Sequence, residues 1–203
     1  MLIQKPQYTA SDVKILEQST PFQGYFQIQQ LRLQFRCFAG GWSQPITREV
    51  FERGSAAAVL PYDPTQRQVI LIEQFRVGAL LDEYSPWLIE VIAGIIDPDD
   101  RDPQQTVSRE AQEEAGLQLK QLQSICSYWV SPGGTSERCH LFYAEIDANQ
   151  AQGIHGYLPE DEDIRVVVVD VDAAFAAITS GRINNASTII ALQWLQLKLQ
   201  KEI

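Results

Sequence analysis

The stretch from Asp102 to Gly116 constrains this chain more than any other. Asp102 as N-cap, Pro103 at the first helical position, Gln105 at the third able to reach back, and Gly116 as the C-terminal cap predict a helix over Pro103–Ala115. At about 100° per residue, Val107, Ala111 and Ala115 form one apolar stripe for packing on a sheet. Glu110 and Glu114 then lie about 40° apart and Glu113 about 60° beyond Glu110, so three carboxylates share one arc. Arg109 precedes Glu113 by four residues and can pair with it. Such crowding destabilises an isolated helix by about a few tenths of a kcal/mol per pair. A solvated acidic face is one reading of the crowding. The other is a divalent cation: Mg²⁺ takes oxygen ligands, so two or three carboxylates with a backbone carbonyl suit it.

Around this helix the chain reads mainly as strands. Phe26–Phe35 largely alternates apolar and polar residues, as a half-exposed strand does, and Gly40-Gly41 marks a turn. More apolar strands are expected at Ala56–Tyr62 and Val69–Phe75, joined by the turn Asp63-Pro64-Thr65, and over Pro86–Ile92. Ile125–Val130, His140–Ile146 and Arg165–Val171 follow, and further helices are expected at Asp172–Ser180 and Ser187–Lys201. The expectation is an α+β fold: a mixed sheet between helices in residues 50–203, preceded by a small β-rich arm in residues 1–49.

Composition excludes several functions. With 16 basic and 26 acidic residues the net charge is −10, against the basic stripe that nucleic acid requires. Two histidines, His140 and His155, are too few for a multi-His zinc site or the usual His-based triad. Cys37, Cys126 and Cys139 follow no CxxC spacing and read as free or buried thiols. The richest apolar stretch, Trp87 to Ile96, is broken by Glu90 and Gly94 and falls short of a membrane span. The opening MLIQKPQYTA lacks the basic-then-apolar pattern of a signal peptide, so a cytoplasmic location is expected.

The order GIIDPDDRDPQQTVSREAQEEAGL resembles the signature box of the Nudix hydrolases through Gly94, Arg109, Glu110, Ala111, Glu113, Glu114, Gly116 and Leu117. It departs from that box in lacking the loop glutamate, for which Asp100 or a neighbour must substitute, and in a loop one residue longer. An EF-hand reading of Asp97–Asp102 fails, because the central Gly and closing Glu are absent at the required spacing. The loop Ser131-Pro132-Gly133-Gly134-Thr135-Ser136-Glu137 has two glycines that let backbone amides approach a ligand, and no Walker lysine. Its wording, with Pro132 sixteen residues after Gly116, is similar to the family members that act on ADP-ribose. The resemblance continues through TREVFERG (Thr47–Gly54), LIEQFR (Leu71–Arg76) and EDEDIRV, the last within a glycine-containing, then densely acidic loop, Gly153–Asp163.

The resemblance implies a Nudix α/β/α sandwich whose N-terminal arm is exchanged in a homodimer. It implies hydrolysis of ADP-ribose to AMP and ribose 5-phosphate, with Mg²⁺ (Mn²⁺ as the alternative) at two or three ions per site. Glu110, Glu113, Glu114 and the Ala93 carbonyl would hold metal, with Glu162 joining when the acidic loop closes. Glu160 would be the general base and Glu162 the next candidate. Tyr25 and Phe26 of the partner subunit would serve the adenine, and Arg48, Glu49, Arg53, Arg76, Ile95, Ser131 and Glu137 the rest of the nucleotide. Arginine forks on a diphosphate and aromatic faces on adenine are chemically apt. The rival expectations are another sugar nucleotide, such as GDP-mannose, and a non-catalytic ADP-ribose sensor. Neither nucleic acid nor membrane is an expected partner.

Overall fold

The computed structural model describes residues 5–157 and 161–201. Two compact units are present: residues up to Gly54 together with Trp129–Glu137, and Ser55–Tyr128 together with residues from Arg138 onward.

The first unit is a three-stranded antiparallel sheet of β1 (Val13–Gln23), β2 (Gln27–Phe35) and β3 (Ile46–Glu52), in that order. Every residue of β1 is exposed, whereas β2 is mostly half-buried along its length, without the in-and-out burial that its apolar–polar alternation predicts. The Ser131–Glu137 loop is laced to β3. The Phe51 amide donates to the Gly134 carbonyl (2.8 Å), the Thr135 hydroxyl donates to the Phe51 carbonyl (2.9 Å), and the Ser136 hydroxyl donates to Glu52.

The second unit contains β4 (Ala56–Asp63), β5 (Gln68–Phe75), β6 (Trp87–Glu90), β7 (Ile92–Ile95), α1 (Pro103–Ala115), β8 (Gln123–Trp129), β9 (Arg138–Glu145), β10 (Ile154–His155), β11 (Ile164–Asp170), α2 (Val171–Thr179) and α3 (Ala186–Lys201). Its sheet runs β10-β11-β5-β4-β9-β8, with β6 paired to β5 and β7 to β4. The β4–β9 pair is parallel and β4–β5 antiparallel, so the sheet is mixed. Alternation along β4 sends Ala57 and Val59 to one face and Ala58, Leu60 and Tyr62 to the other. The first face packs on Val107, Ala111 and Ala115 of α1. The second packs on Ala174 of α2 and Ala191, Leu192 and Leu195 of α3. The expected layers of helix, mixed sheet and helix are therefore present.

Two local expectations change. Pro86–Ile92 is not one strand: the chain pairs with β5 up to Glu90 and with β4 from Ile92, changing partner at Val91. In α1, Asp102 caps the Gln104 and Gln105 amides (3.0 Å each), and Gly116 takes a left-handed φ of 66°. The Gln105 side chain, however, accepts from the Arg101 amide and Nε rather than reaching back to Asp102. None of the three cysteines is in a disulfide, and Cys139 is buried. Among the described residues, no helix is long and apolar enough to cross a membrane.

Candidate active site

The cap at Asp102 and the apolar stripe of α1 fix that helix on the sheet, and the fixing turns its acidic arc toward β7. Glu114 is buried, and its Oε2 accepts a hydrogen bond from the Ala93 amide at 3.2 Å. Gly94 follows. A Cβ there would fall 1.8 Å from Glu110 Oε1, so only a glycine lets the Glu110 carboxylate lie against the strand. Burial pushes the Glu114 carboxyl well above its ordinary range, and Glu110 and Glu162 add repulsion that the Ala93 amide and Arg76 only partly offset. Glu110 is likewise raised by burial, with Arg109 opposing and Glu113 and Glu162 adding to the shift.

Arg109 is the counter-charge. Its Nη1 lies 2.8 Å from Glu110 Oε1 and 3.2 Å from Glu113 Oε2, and its Nη2 lies 3.5 Å from Asp100 Oδ2. The expected pairing with Glu113 is thus one arm of a three-carboxylate bracket. The Asp100 Oδ2 that meets Arg109 also accepts from the Thr106 hydroxyl (2.8 Å) and the Asp97 amide (3.2 Å). The Thr106 bond is the largest influence on Asp100 and, with the Asp97 amide and Arg109, holds its carboxyl below the usual range against desolvation.

The acidic loop approaches the same helix. The Gly156 amide donates to the Glu113 carbonyl at 3.4 Å, and the Tyr157 amide donates to Glu162 Oε2 at 3.0 Å. Gly156 has φ 121°, and a Cβ there would fall 2.7 Å from the Glu162 carbonyl, so this turn requires glycine. Glu160 lies outside the described residues.

Oxygen-only donors with an excess of negative charge fit a hard divalent cation. The glycine cradle for Glu110 and the raised carboxyl of buried Glu114 are what such a cation would relieve. Among the described residues, no three His, Cys, Asp or Glu side chains stand as a ready ligand cluster. Arg109 pairs with Glu110 and Glu113, and the Ala93 amide with Glu114.

Beyond β5, Arg76 Nε donates to Glu90 Oε2 at 2.7 Å. Glu90 was missed as a site residue, although it is the charged break in the apolar run Trp87–Ile96. Ile95 closes β7 opposite Ala56. Neither histidine joins the carboxylates: His140 Nδ1 pairs with Ser127 Oγ (2.9 Å) and His155 Nε2 with the Gln152 carbonyl (2.8 Å).

In the first unit, Phe26 stacks edge-on with Tyr25 (4.7 Å) and Phe51 (5.1 Å), and the Arg53 guanidinium lies 5.5 Å above its ring. Tyr25 is exposed. Arg53 Nη1 is 3.5 Å from Glu137 Oε2, while its buried Nε has no hydrogen-bond partner among the described residues. A buried, unmade donor on a guanidinium is unusual and is chemically suited to an anionic ligand. Arg48 donates to the Thr47 carbonyl (2.8 Å), and Glu49 accepts weakly from Gln30 (3.4 Å). The Ser131 carbonyl accepts from the Gly134 and Thr135 amides, which closes the turn.

A mixed sheet between helix layers, with α1 presenting its glutamates beside a strand-end glycine, defines a Nudix-type hydrolytic fold. Residues 52–192 match the NUDIX domain, and the chain belongs to that family. It is 44% identical over 193 residues to the ADP-ribose pyrophosphatase of Haemophilus influenzae, covering 94% of this chain and 88% of that protein. Identity to the Escherichia coli ADP-ribose pyrophosphatase is 45% over 190 residues, covering 94% and 90%. The GDP-mannose pyrophosphatase of Cronobacter sakazakii is 38% identical over 156 residues, covering 74% and 78%. A crystal structure of an ADP compounds hydrolase shares the fold, with TM-score 0.71, 19% identity and coverage of 97% and 98%.

Proposed function

We infer that this chain hydrolyses the diphosphate of ADP-ribose to AMP and ribose 5-phosphate, with a divalent cation as cofactor and Mg²⁺ as the first choice over Mn²⁺. The observation that carries the reading is the α1 carboxylate set seated against Ala93 and Gly94, in a chain 44–45% identical to ADP-ribose pyrophosphatases.

Glu110, Glu113, Glu114 and the Ala93 carbonyl would hold the cation, joined by Glu162; two or three ions per site is the occupancy proposed. A divalent cation bound there polarises the diphosphate and lowers the pKa of water. Arg109, bracketed by Asp100, holds Glu110 and Glu113 on one arc before metal arrives. Arg76, oriented by Glu90 through Nε, would offer its Nη1 and Nη2 to the diphosphate. Glu160 is proposed as the general base, with Glu162 next. Ile95, Ser131 and Glu137 would line the nucleotide.

Residues 1–49 are proposed as an arm exchanged in a homodimer, with Tyr25 and Phe26 of the partner subunit serving the adenine and Arg48, Glu49 and Arg53 contacting the nucleotide or its phosphates. Exposed Ile15, Phe22 and Phe35 on the arm sheet support this, since an uncovered apolar sheet favours pairing. A cytoplasmic location is part of the same proposal. The intact carboxylates favour a catalyst over a sensor.

A panel of ADP-ribose, GDP-mannose and other nucleoside diphosphate sugars with Mg²⁺, read by chromatography of products, tests this. ADP-ribose should give the highest kcat/KM, releasing AMP. Preference for GDP-mannose, or no turnover of ADP-ribose, would refute it.

A further inference from the structure

Glu90 and Ala93 stand on either side of the point where the chain changes strands. Glu90 is opposite Ile72 of β5, whereas Ile92 is opposite Val59 of β4. A backbone that changes partner leaves peptide groups outside both ladders, and buried ones need other partners. Val91 is in neither ladder, while Ile89 stays opposite Glu73 of β5; the Val91 amide and the Ile89 carbonyl flank Glu90. Both are taken by the start of α3. Asn185 Nδ2 donates to the Ile89 carbonyl at 2.7 Å, and the Val91 amide donates to Thr188 Oγ1 at 2.9 Å. Asn185 Oδ1 also accepts from the Thr188 amide at 3.2 Å, which caps α3 and ties the two residues together. Thr188 is 0% and Val91 1% exposed, so water has no access to replace the Val91–Thr188 bond.

We propose that Asn185 and Thr188 are positioning residues for the reaction: they clamp the backbone around Glu90 and so place both Glu90 against Arg76 and Ala93 against Glu114. The proposal rests on the hydrolytic reading for the roles of Arg76 and Glu114. Neither clamp residue is part of the carboxylate set; each acts through the backbone that carries it. Glu90 lies between the two clamped peptide groups, and its carboxylate holds Arg76 Nε at 2.7 Å. Ala93 is two residues past Val91, and its amide must meet Glu114 while Gly94 clears Glu110. The close approach of Gly94 to Glu110 makes the position of that carboxylate depend on where the strand is set.

The test compares Thr188→Val, which keeps the shape but removes the acceptor, with Thr188→Ser, which keeps the hydroxyl. Leu195→Ala, a buried α3 position that takes no part in the hydrogen bonds of the clamp, reports simple loss of packing. Mn²⁺ binding is read from the electron paramagnetic resonance signal of the free ion, and kcat and KM are measured with ADP-ribose. Thr188→Val should weaken Mn²⁺ binding and lower kcat by about tenfold each, with Thr188→Ser within about twofold of the parent protein. Leu195→Ala should lose thermal stability and keep both constants. Parental Mn²⁺ affinity and kcat in Thr188→Val would overturn the proposal. Should Thr188→Val fail to fold, Asn185→Ser keeps the helix cap, removes only the donor to Ile89, and is judged by the same two outcomes. If the parent protein does not turn over ADP-ribose, the functional reading fails, while the Mn²⁺ comparison still decides the clamp.

Discussion

Gly94 and Glu110 are packed so closely that a Cβ on residue 94 would fall 1.8 Å from Glu110 Oε1, 2.2 Å from Cδ and 2.6 Å from Cγ. The glycine is there for close approach rather than for an unusual φ, since its backbone is ordinary strand paired with Ala57. Gly94→Ala should displace the Glu110 carboxylate and lower activity by about two orders of magnitude, on the scale of a misplaced catalytic group. Because Glu110 can swing away from the strand, the melting temperature should change little. Near-parental turnover in Gly94→Ala would show that the Glu110 position seen here is unimportant.

Asp63 offers a pH-dependent test far from the carboxylate helix. Burial alone would raise its carboxyl, but bonds from the Ala148, Thr65 and Gln66 amides and the Gln66 side chain outweigh this and lower it below 3.8. A carboxyl depressed in the folded state contributes stability above its unfolded value, and that stability is lost as pH falls through the folded value. Asp63→Asn should therefore cost about 1–3 kcal/mol at neutral pH, with the difference from the parent shrinking below about pH 4 in acid melts. A difference independent of pH would contradict the assignment.

The proposed arm exchange is tested by truncation. Deleting residues 1–46 should give a protein that is insoluble or blind to substrate, because the apolar arm and its aromatic residues are both removed. Size-exclusion chromatography with an activity assay decides it. A soluble, fully active monomer from that truncation would refute the arm's role.

What was legible in the sequence was local. Asp102, Pro103 and Gly116 mark the ends of α1 by capping chemistry that depends on neighbours within the helix, and the helix runs between them as expected. The Glu110–Glu114 arc follows from helical geometry alone. The break at Val91 was not legible, since it arises from competition between β4 and β5 for one segment and is settled by residues from Asn185 to Thr188, almost a hundred positions away. β1 was equally hidden: every residue of it is exposed, so no buried face imposes alternation. Asp100 was legible only as a substitute for a missing glutamate; its bonds to Thr106 and Arg109 show what it does.

The general base separates two neighbouring carboxylates. Glu160→Gln should depress kcat by at least about two orders of magnitude with little change in Mg²⁺ dependence, as expected for lost proton transfer. Glu162→Gln should alter both, because Glu162 bears electrostatically on Glu110 and Glu114. An unimpaired Glu160→Gln enzyme would end the assignment of that residue as base.

The central claim is that the glutamates of α1 form the working centre for ADP-ribose hydrolysis. Its most direct test is steady-state turnover of ADP-ribose as a function of Mg²⁺ concentration, for the parent chain, Glu113→Gln and Glu114→Gln. Both variants should fold normally and lose at least about two orders of magnitude in kcat that saturating Mg²⁺ does not restore. Near-full turnover by either variant at saturating Mg²⁺ would contradict its place in the metal site.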